Sequence, residues 1–151
     1  MIKGHVPHRI ASLDINVDFE VDTGDTLALF GASASGKSTI LKMIAGLIRP
    51  NMGGYISIKG HIVFDSRNGI FVAPHMRRIG YVAQDYGLFP HLSVQSNIAY
   101  GLGYIPKSSA ADRVNELLGI FGLEGSKHKK PNQLSGGEQQ RVAIARAIAT
   151  R

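Results

Sequence analysis

The sequence predicts an α/β fold in which strands occupy the first part of the chain and helices the remainder. Residues 13–21 alternate strictly between apolar and polar side chains, which is the period of a strand with one buried face. The run at 26–30, which is apolar after Thr26, is typical of a central strand covered on both faces. A glycine-rich loop and a helical pattern follow it. Beyond Gln84 the strand patterns end and helical periods take over.

The other elements follow from local periodicity and turn residues. Residues 38–48 predict a helix that ends before Pro50 and has Leu41, Ile44, Ala45 and Ile48 on one face. Paired strands are predicted on either side of Lys59-Gly60. The predicted strands are 55–58, 61–64 and 79–83, the later helices are 94–102, 110–121 and 136–150, and a basic loop is expected at 125–131.

Composition limits the classes of protein that the chain can belong to. A chain of 151 residues with 44% hydrophobic and 19% charged residues is typical of one globular domain. It has no cysteine, which excludes disulfides and thiolate metal sites and agrees with a cytosolic setting. The beginning of the chain lacks the features of a signal peptide, and no run approaches the roughly 18 apolar residues of a membrane span. We therefore expect any membrane role to come through a partner.

The formal charge of +6 raises the question of a nucleic-acid partner. The basic residues are spread along the chain, and their one dense cluster is at 127–130. We interpret that cluster as the solvated face of a loop and expect no nucleic-acid partner. Apart from His8, which is considered below, the histidines show no metal-ligand spacing; they are His5, His61, His75, His91 and His128.

The stretch GASASGKST at Gly31–Thr39, here called the phosphate loop, has the spacing G-x-x-x-x-G-K-[ST] between a predicted strand and a predicted helix. Backbone N–H groups in such a loop, together with the helix N-terminus, bind the phosphates of a nucleotide. Lys37 is expected to reach the β- and γ-phosphates, and the Ser38 hydroxyl to ligate Mg²⁺. By itself the loop separates neither ATP from GTP nor a kinase from a motor. The predicted nucleotide-binding residues are Gly31, Ala32, Ser33, Ala34, Ser35, Gly36, Lys37, Ser38 and Thr39.

A second stretch, LSGGEQQR at Leu134–Arg141, lies where a helix is predicted to begin. Ser135 and Glu138 have the spacing of a capping box, so the stretch could simply be a well-capped helix. In combination with the phosphate loop, however, it resembles the signature sequence of the ABC-type ATPases. Over essentially all of its length the chain is similar to the ATP-binding subunit of ABC transporters.

This resemblance implies a P-loop NTPase core with an antiparallel β strip at 1–84, a helical subdomain at 85–134 and a signature helix that returns to the core at 135–151. The segment Arg77–Ile98 looks like the family's glutamine loop. Gln84 then falls where the family's glutamine contacts Mg²⁺ and the attacking water. The tract Tyr86–Leu92 falls where the membrane subunit docks.

The resemblance also implies partners and a location. In the family two copies of the subunit enclose two ATP molecules, each held by the phosphate loop of one copy and the signature of the other. The signature residues expected to act on the second copy's nucleotide are Ser135, Gly136, Gly137 and Glu138. Transmembrane permease subunits and, indirectly, a substrate-binding protein outside the membrane complete the expected assembly. The chain would lie at the cytoplasmic face of the plasma (inner) membrane.

Residues 60–94 are most similar to import ATPases for oxyanions, above all molybdate, and importers for sulfate, tungstate, iron or polyamines share much of this segment. One alternative is a nucleotide-binding product that regulates without hydrolysing ATP. Another is a soluble ABC ATPase of repair or translation, against which the Leu88–His91 segment and the short insertion argue.

The chain departs from the family pattern at three places. Ala34 stands where the family usually has glycine, and a positive φ there would strain the loop by about 1 kcal/mol. No aromatic residue precedes Phe19 to stack on adenine, and His8 is the nearest equivalent by position. The family's next segment (Walker B), with its aspartate and glutamate, would lie beyond Arg151, so the motifs present predict nucleotide binding but do not establish turnover.

Overall fold

The computed structural model describes residues 1–150. These residues form two compact units, residues 1–79 and residues 80–150. The first unit holds the sheet and one helix, and the second holds the other helices. The boundaries drawn from the sequence at 84/85 and 134/135 remain predictions. No helix in residues 1–150 is long and apolar enough to cross a membrane.

The first unit is built on a five-stranded antiparallel sheet with the strand order β2-β1-β3-β4-β5. The alternating segment forms β2 as predicted, and its apolar side chains Ile15 and Phe19 are buried. The hairpin predicted around Lys59-Gly60 is confirmed as β3 and β4. The strands are β1 (Ile2–Ile10), β2 (Leu13–Val21), β3 (Tyr55–Ile58), β4 (His61–Asp65) and β5 (Ile70–Phe71).

Helix α1 (Lys37–Ala45) begins within the phosphate loop, one residue earlier than predicted, and ends three residues earlier than predicted. It ends because Gly46 adopts the left-handed conformation and donates its N–H back to the last turn. The helix buries Ile40 and Met43 against the sheet's apolar face. The predicted buried face was partly wrong, since Leu41 is 49% exposed.

Two predicted strands are absent from residues 1–150. The apolar run at 26–30 is irregular, and Phe30 is 92% exposed. Residues 79–83 are irregular as well. A strand requires a neighbour that accepts and donates its backbone hydrogen bonds, and no described segment pairs with either run.

One buried arginine connects the end of α1 with strand β4 and with the residue that follows β5. Arg77 is 4% exposed. Its guanidinium donates to the carbonyls of Met43 and Ile44, each at 2.9 Å, to Val72 at 2.8 Å and to Val63 at 3.3 Å. The cation therefore satisfies the last carbonyls of a helix, whose C-terminal end favours positive charge. Burial lowers the pKa of Arg77.

The second unit is helical throughout its regular part. Ser93 caps α2 by accepting the N–H of Ser96, and α3 ends at Gly122, which has φ +60°. The predicted helices are confirmed with shifted ends, because the end of the 94–102 prediction is a 3₁₀ turn and α3 begins three residues earlier. The helices are α2 (Val94–Ala99), α3 (Lys107–Phe121) and α4 (Gly136–Ala149).

The helices of the second unit share one apolar core. Helix α3 contributes Val114, Leu117 and Leu118, as its periodicity predicts. Helix α4 contributes Val142, Ala145 and Ala149, while Ile148 is only partly buried. The predicted basic loop contains 3₁₀ turns at Glu124–Ser126 and Pro131–Gln133. Leu134 of the signature stretch, just before α4, is buried in the same core, which fixes the beginning of the helix.

Candidate nucleotide-binding site

The phosphate loop forms an exposed turn at the start of α1. Gly36 is the N-cap of the helix and has φ +90°, a conformation that glycine adopts without strain. A Cβ at this position would lie 2.5 Å from Cδ1 of Ile15, so the backbone conformation favours glycine and any larger residue would also displace the Ile15 side chain. Because the helix N-terminus faces the loop, its free N–H groups favour an anion there.

Lys37 reaches back into the loop from the first position of α1. Its Nζ donates to the carbonyls of Gly31 at 2.9 Å and Ala32 at 2.6 Å, and lies 3.3 Å from Oγ of Ser35. The ammonium group is therefore held at the mouth of the loop, at the helix end that attracts negative charge. This geometry can bind a phosphate once the Nζ contacts are exchanged for phosphate oxygens.

A cavity of about 230 Å³ lies beside the phosphate loop. Residues 34–39 form one wall, and Ile10 and Leu13 from the β1–β2 hairpin form another. His8, the sequence-based candidate for stacking on adenine, does not line this cavity. It is 6% exposed, and its Nδ1 accepts the Asn51 N–H at 3.2 Å. Sequence reasoning missed Ile10 and Leu13, whose only signal is their place at the two ends of the hairpin turn.

The expected strain in the phosphate loop is present. Ala34 has φ +62° at the third position of a turn in which the Ser35 N–H bonds the Ala32 carbonyl at 3.3 Å. Glycine adopts this conformation without a steric penalty, whereas a residue with a Cβ is strained by roughly 1–2 kcal/mol.

Replacing Ala34 by glycine should strengthen nucleotide binding, because the loop then reaches this conformation without strain. The added freedom of glycine in the unfolded chain offsets part of the gain in stability. We expect about a threefold to fivefold lower Kd for Mg-ATP, equivalent to roughly 1 kcal/mol. Isothermal titration calorimetry of the Ala34→Gly variant with Mg-ATP measures this change in Kd. The matched control is Ala32→Gly, whose φ is not positive in the wild type and which should bring no gain. Equal or weaker binding by Ala34→Gly would exclude strain at this position.

Gln84 and the signature residues belong to the second unit. Gln84 is exposed and begins the turn at 84–87. Ser135, Gly136 and Gly137 are exposed at the first turn of α4. The structure therefore groups the nine phosphate-loop residues in one unit, and places the glutamine and the signature residues in the other.

A complete capping box holds the start of α4. Ser135 donates to the Glu138 carboxylate from its hydroxyl at 2.7 Å and from its N–H at 2.9 Å. The hydroxyl of Ser126 donates to the other carboxylate oxygen at 2.9 Å. The N–H groups of Gly136 and Gly137 are not engaged by this box and remain at the helix N-terminus. The arrangement serves helix capping, as expected from the spacing, and leaves donors for an anion.

The same hydrogen bonds predict a pH dependence at Glu138. Those from Ser135, followed by that from Ser126, hold the pKa of Glu138 at about 2, below the 4.5 that is usual for a glutamate. Because the folded-state pKa is the lower one, the stabilisation of the start of α4 is complete above about pH 4.5 and is lost as the pH falls through about 2. A ¹³C NMR titration of the Glu138 carboxyl should give a midpoint near the lower value. A midpoint near 4.5 would mean that the box is open in solution.

The tract Tyr86–Leu92 is held by side chains from two helices of the second unit. Arg146 of α4 donates to the carbonyls of Tyr86 and Gly87. Asn97 of α2, which is fully buried, bonds the N–H and carbonyl of Phe89. No sequence motif marked either residue as important for the tract.

The sequence profile described as "ABC transporter" matches residues 15–151. The molybdenum import ATP-binding protein ModC of Mesorhizobium japonicum is 47% identical over 150 residues, which are 97% of this chain and 39% of that protein. The sulfate/thiosulfate import ATP-binding protein CysA of Nocardia farcinica is 45% identical over 143 residues, covering 93% of this chain and 41% of that protein.

Among solved structures, a dimeric ATP-binding cassette, MJ0796, in a post-hydrolysis state bound to ADP and Pi, superposes with a TM-score of 0.78. It is 33% identical, and the match covers 99% of this chain and 69% of that one. The chain thus spans about two fifths of the length of the two import proteins that it matches. The profile covers most of the sequence and includes both the phosphate loop and the signature stretch, so the chain belongs to the ABC transporter family.

Proposed function

We propose that the chain binds Mg-ATP at the phosphate loop and serves as the ATP-binding part of an importer for an oxyanion. The observation that carries the proposal is the position of Lys37, whose Nζ is held at the mouth of an exposed loop that leads into the N-terminus of α1. On binding, the β- and γ-phosphates replace the carbonyl contacts of Nζ, and the loop N–H groups bind the remaining oxygens.

Mg²⁺ fits this site through the hydroxyl of Ser38, which is exposed in the first turn of α1. Mg²⁺ in nucleotide sites takes few protein ligands and completes its shell with phosphate oxygens and water. The bound ion neutralises charge on the phosphates. Gln84 is proposed as the second residue near the metal and as the one that orients the attacking water. Hydrolysis is proposed for the whole protein.

We propose that each nucleotide is completed by a second copy of the chain. The exposed first turn of α4 has free N–H groups and the positive end of a helix dipole, and both favour binding of a γ-phosphate. On this basis Gly136 and Gly137 bind the partner's nucleotide through their backbone, while Ser135 contacts it and Glu138 orients Ser135. The dimeric state of the structural relative supports the arrangement.

The proposed setting is the cytoplasmic face of the plasma (inner) membrane, with permease subunits docked on the Tyr86–Leu92 tract. A substrate-binding protein delivers the oxyanion from the other side. Phe89 of the tract lies against Tyr100 with 4.2 Å between the ring centroids, and Tyr100 is 63% exposed, so an aromatic surface for a partner lies beside the tract. The proposed organisation of the chain remains 1–84, 85–134 and 135–151.

Molybdate is the first proposed substrate and sulfate the second, following the names of the two import relatives. Both candidate substrates are tested in cells that carry only the Lys37→Ala gene, by measuring the uptake of labelled molybdate and of labelled sulfate. Loss of molybdate uptake with normal sulfate uptake supports the proposal, and the reverse assigns sulfate. Normal uptake of both excludes these two substrates and leaves tungstate, iron and polyamines to be tested in the same assay. A product that binds ATP without hydrolysing it, in the complete complex, would instead favour the regulatory alternative.

A further inference from the structure

The Tyr86–Leu92 tract begins with a turn in an unfavourable backbone conformation. Tyr86 has φ +61° and Gly87 has φ +52°. The left-handed region is ordinary for glycine but strained for tyrosine, so the surrounding structure must hold Tyr86 in this state. Negative φ at Tyr86 would relieve this strain.

Arg146 of α4 is the side chain that holds this turn. Its two terminal nitrogens donate to the carbonyls of Gly87 at 2.8 Å and Tyr86 at 2.9 Å. The guanidinium carbon also lies 5.3 Å from the ring centroid of Phe89, within cation–π range. Burial lowers the pKa of Arg146, yet a guanidinium remains charged at neutral pH. Arginine donates to the two adjacent carbonyls from two separate nitrogens in a fixed planar fork, a geometry that the single nitrogen of a lysine ammonium does not reproduce.

The far end of the tract is attached to a different helix. Asn97 of α2 accepts the Phe89 N–H at 2.9 Å and donates to the carbonyls of Phe89, Leu92 and Ser93 at 3.0–3.2 Å. Both hydrogen bonds that join the tract to α4 within residues 80–150 are made by Arg146. The tract is therefore attached to α2 by Asn97 and to α4, the signature helix, by the guanidinium of Arg146. We call this attachment by Arg146 the latch.

We propose that Arg146 is a positioning residue that links the tract to the signature helix. A partner seated on the tract acts on the Tyr86–Gly87 turn, and the turn has two arrangements, latched to Arg146 or released. In the latched arrangement the position of the tract sets the position of α4, and with it the exposed N–H groups of Gly136 and Gly137. The inference rests on the proposed function for its partner, whereas the latch itself is independent of that function.

The latch is tested on the chain itself by amide hydrogen exchange. Arg146→Lys keeps the charge and loses the fork, and Arg146→Met loses both. Exchange of the amide N–H groups in residues 84–89 should accelerate by about tenfold or more in both variants, because the segment opens more often once its carbonyls lose the hydrogen bonds from Arg146. The matched control is Arg113→Lys in α3, since Arg113 donates to the Ile148 carbonyl and not to the tract. Unchanged exchange in 84–89 in the folded Arg146→Lys chain would overturn the latch.

The coupling is tested in the assembled importer by ATPase assays with and without the loaded substrate-binding protein. Arg146→Lys should keep the basal rate and the KM for ATP within about twofold, while stimulation by the binding protein falls about tenfold. Stimulation equal to that of the wild type would overturn the coupling. A parallel loss of basal and stimulated rates, with faster exchange throughout α4, would also overturn it by showing that Arg146 only stabilises the helix. A wild-type importer without ATPase activity would refute the proposed function, and the exchange experiment would still judge the latch.

Discussion

Lys37→Ala is expected to abolish measurable binding of Mg-ATP to the chain. The ammonium group is the only cation that the structure places at the mouth of the phosphate loop within residues 31–39, and charge-assisted hydrogen bonds to phosphate are among the strongest in proteins. Its removal also deletes the contacts of Nζ with Gly31 and Ala32, so the loop loses part of its own support. We expect the Kd to rise by about a hundredfold or more, equivalent to roughly 2.7 kcal/mol.

Isothermal titration calorimetry with Mg-ATP measures this change directly. The matched control is Lys42→Ala, an exposed lysine in the last turn of the same helix, which should leave the Kd within about twofold. Circular dichroism establishes that both variants are folded. Equal affinities of Lys37→Ala and the wild type would remove the nucleotide site from this loop.

Arg77→Met is expected to cause the largest loss of stability in the first unit. Methionine retains much of the apolar stem but removes the guanidinium donor from four carbonyls, two of them at the end of α1. The carbonyls of Met43 and Val63 keep a backbone N–H donor. Hydrogen bonds to a charged donor contribute about 1.5–3 kcal/mol each and are not additive. We expect the free energy of unfolding to fall by about 3 kcal/mol or more, mainly because buried carbonyls lose their only charged partner.

Urea unfolding followed by circular dichroism tests the Arg77 prediction. Its neighbour provides the control, because Arg78 is exposed and Arg78→Met should change stability by less than about 0.5 kcal/mol. A change below 1 kcal/mol in Arg77→Met would mean that water or other donors replace the guanidinium, and the account of the first unit would need revision.

The strands and helices that were predicted correctly are those whose pattern is local. Residues 13–21 alternate along the whole strand, and α3 has Val114, Leu117 and Leu118 at helical spacing. Strand β1 was missed because it contains Gly4 and Pro7, residues that weaken a strand prediction. Its neighbours explain it, since a Cβ at Gly4 would lie 2.6 Å from the Tyr55 carbonyl of the adjacent strand.

The run at 26–30 shows the limit of an apolar pattern. Such a run predicts burial, and burial of a strand depends on hydrogen-bonded neighbours that no periodicity can locate. Within residues 1–150 no neighbour pairs with it, and Phe30 is largely exposed. The apolar pattern belongs to the segment itself, whereas the burial that it predicts depends on the residues that surround the segment.

The candidate site was largely predictable because its motifs are contiguous. Spacing alone identified Lys37, Ser38 and the Ser135–Glu138 capping box, and the glycine preference of the loop anticipated the positive φ of Ala34. Arg77 and Arg146 were not predictable in the same way. Their acceptors lie up to 34 and 60 residues away along the chain, so their roles emerge only when the chain is folded.

The Gly137→Asp variant is expected to fold normally but to prevent the pairing of two copies. The nearest atom to a Cβ at this position is Nη1 of Arg141 at 3.8 Å, so the side chain fits. An aspartate in the first turn also favours the helix. Its charge, however, would repel a phosphate bound at the N-terminus of α4. The variant should therefore fold and bind ATP at its own phosphate loop without completing a partner's site.

The central claim is that the phosphate loop and the signature stretch are halves of two sites completed by a second copy. Sedimentation velocity with Mg-ATP tests it most directly. We predict that the wild-type chain forms dimers with ATP, that Lys37→Ala and Gly137→Asp alone stay monomeric, and that an equimolar mixture of the two recovers dimers with one intact site. A wild-type chain that binds ATP and remains monomeric at saturation, or a Gly137→Asp chain that pairs as well as the wild type, would contradict the claim.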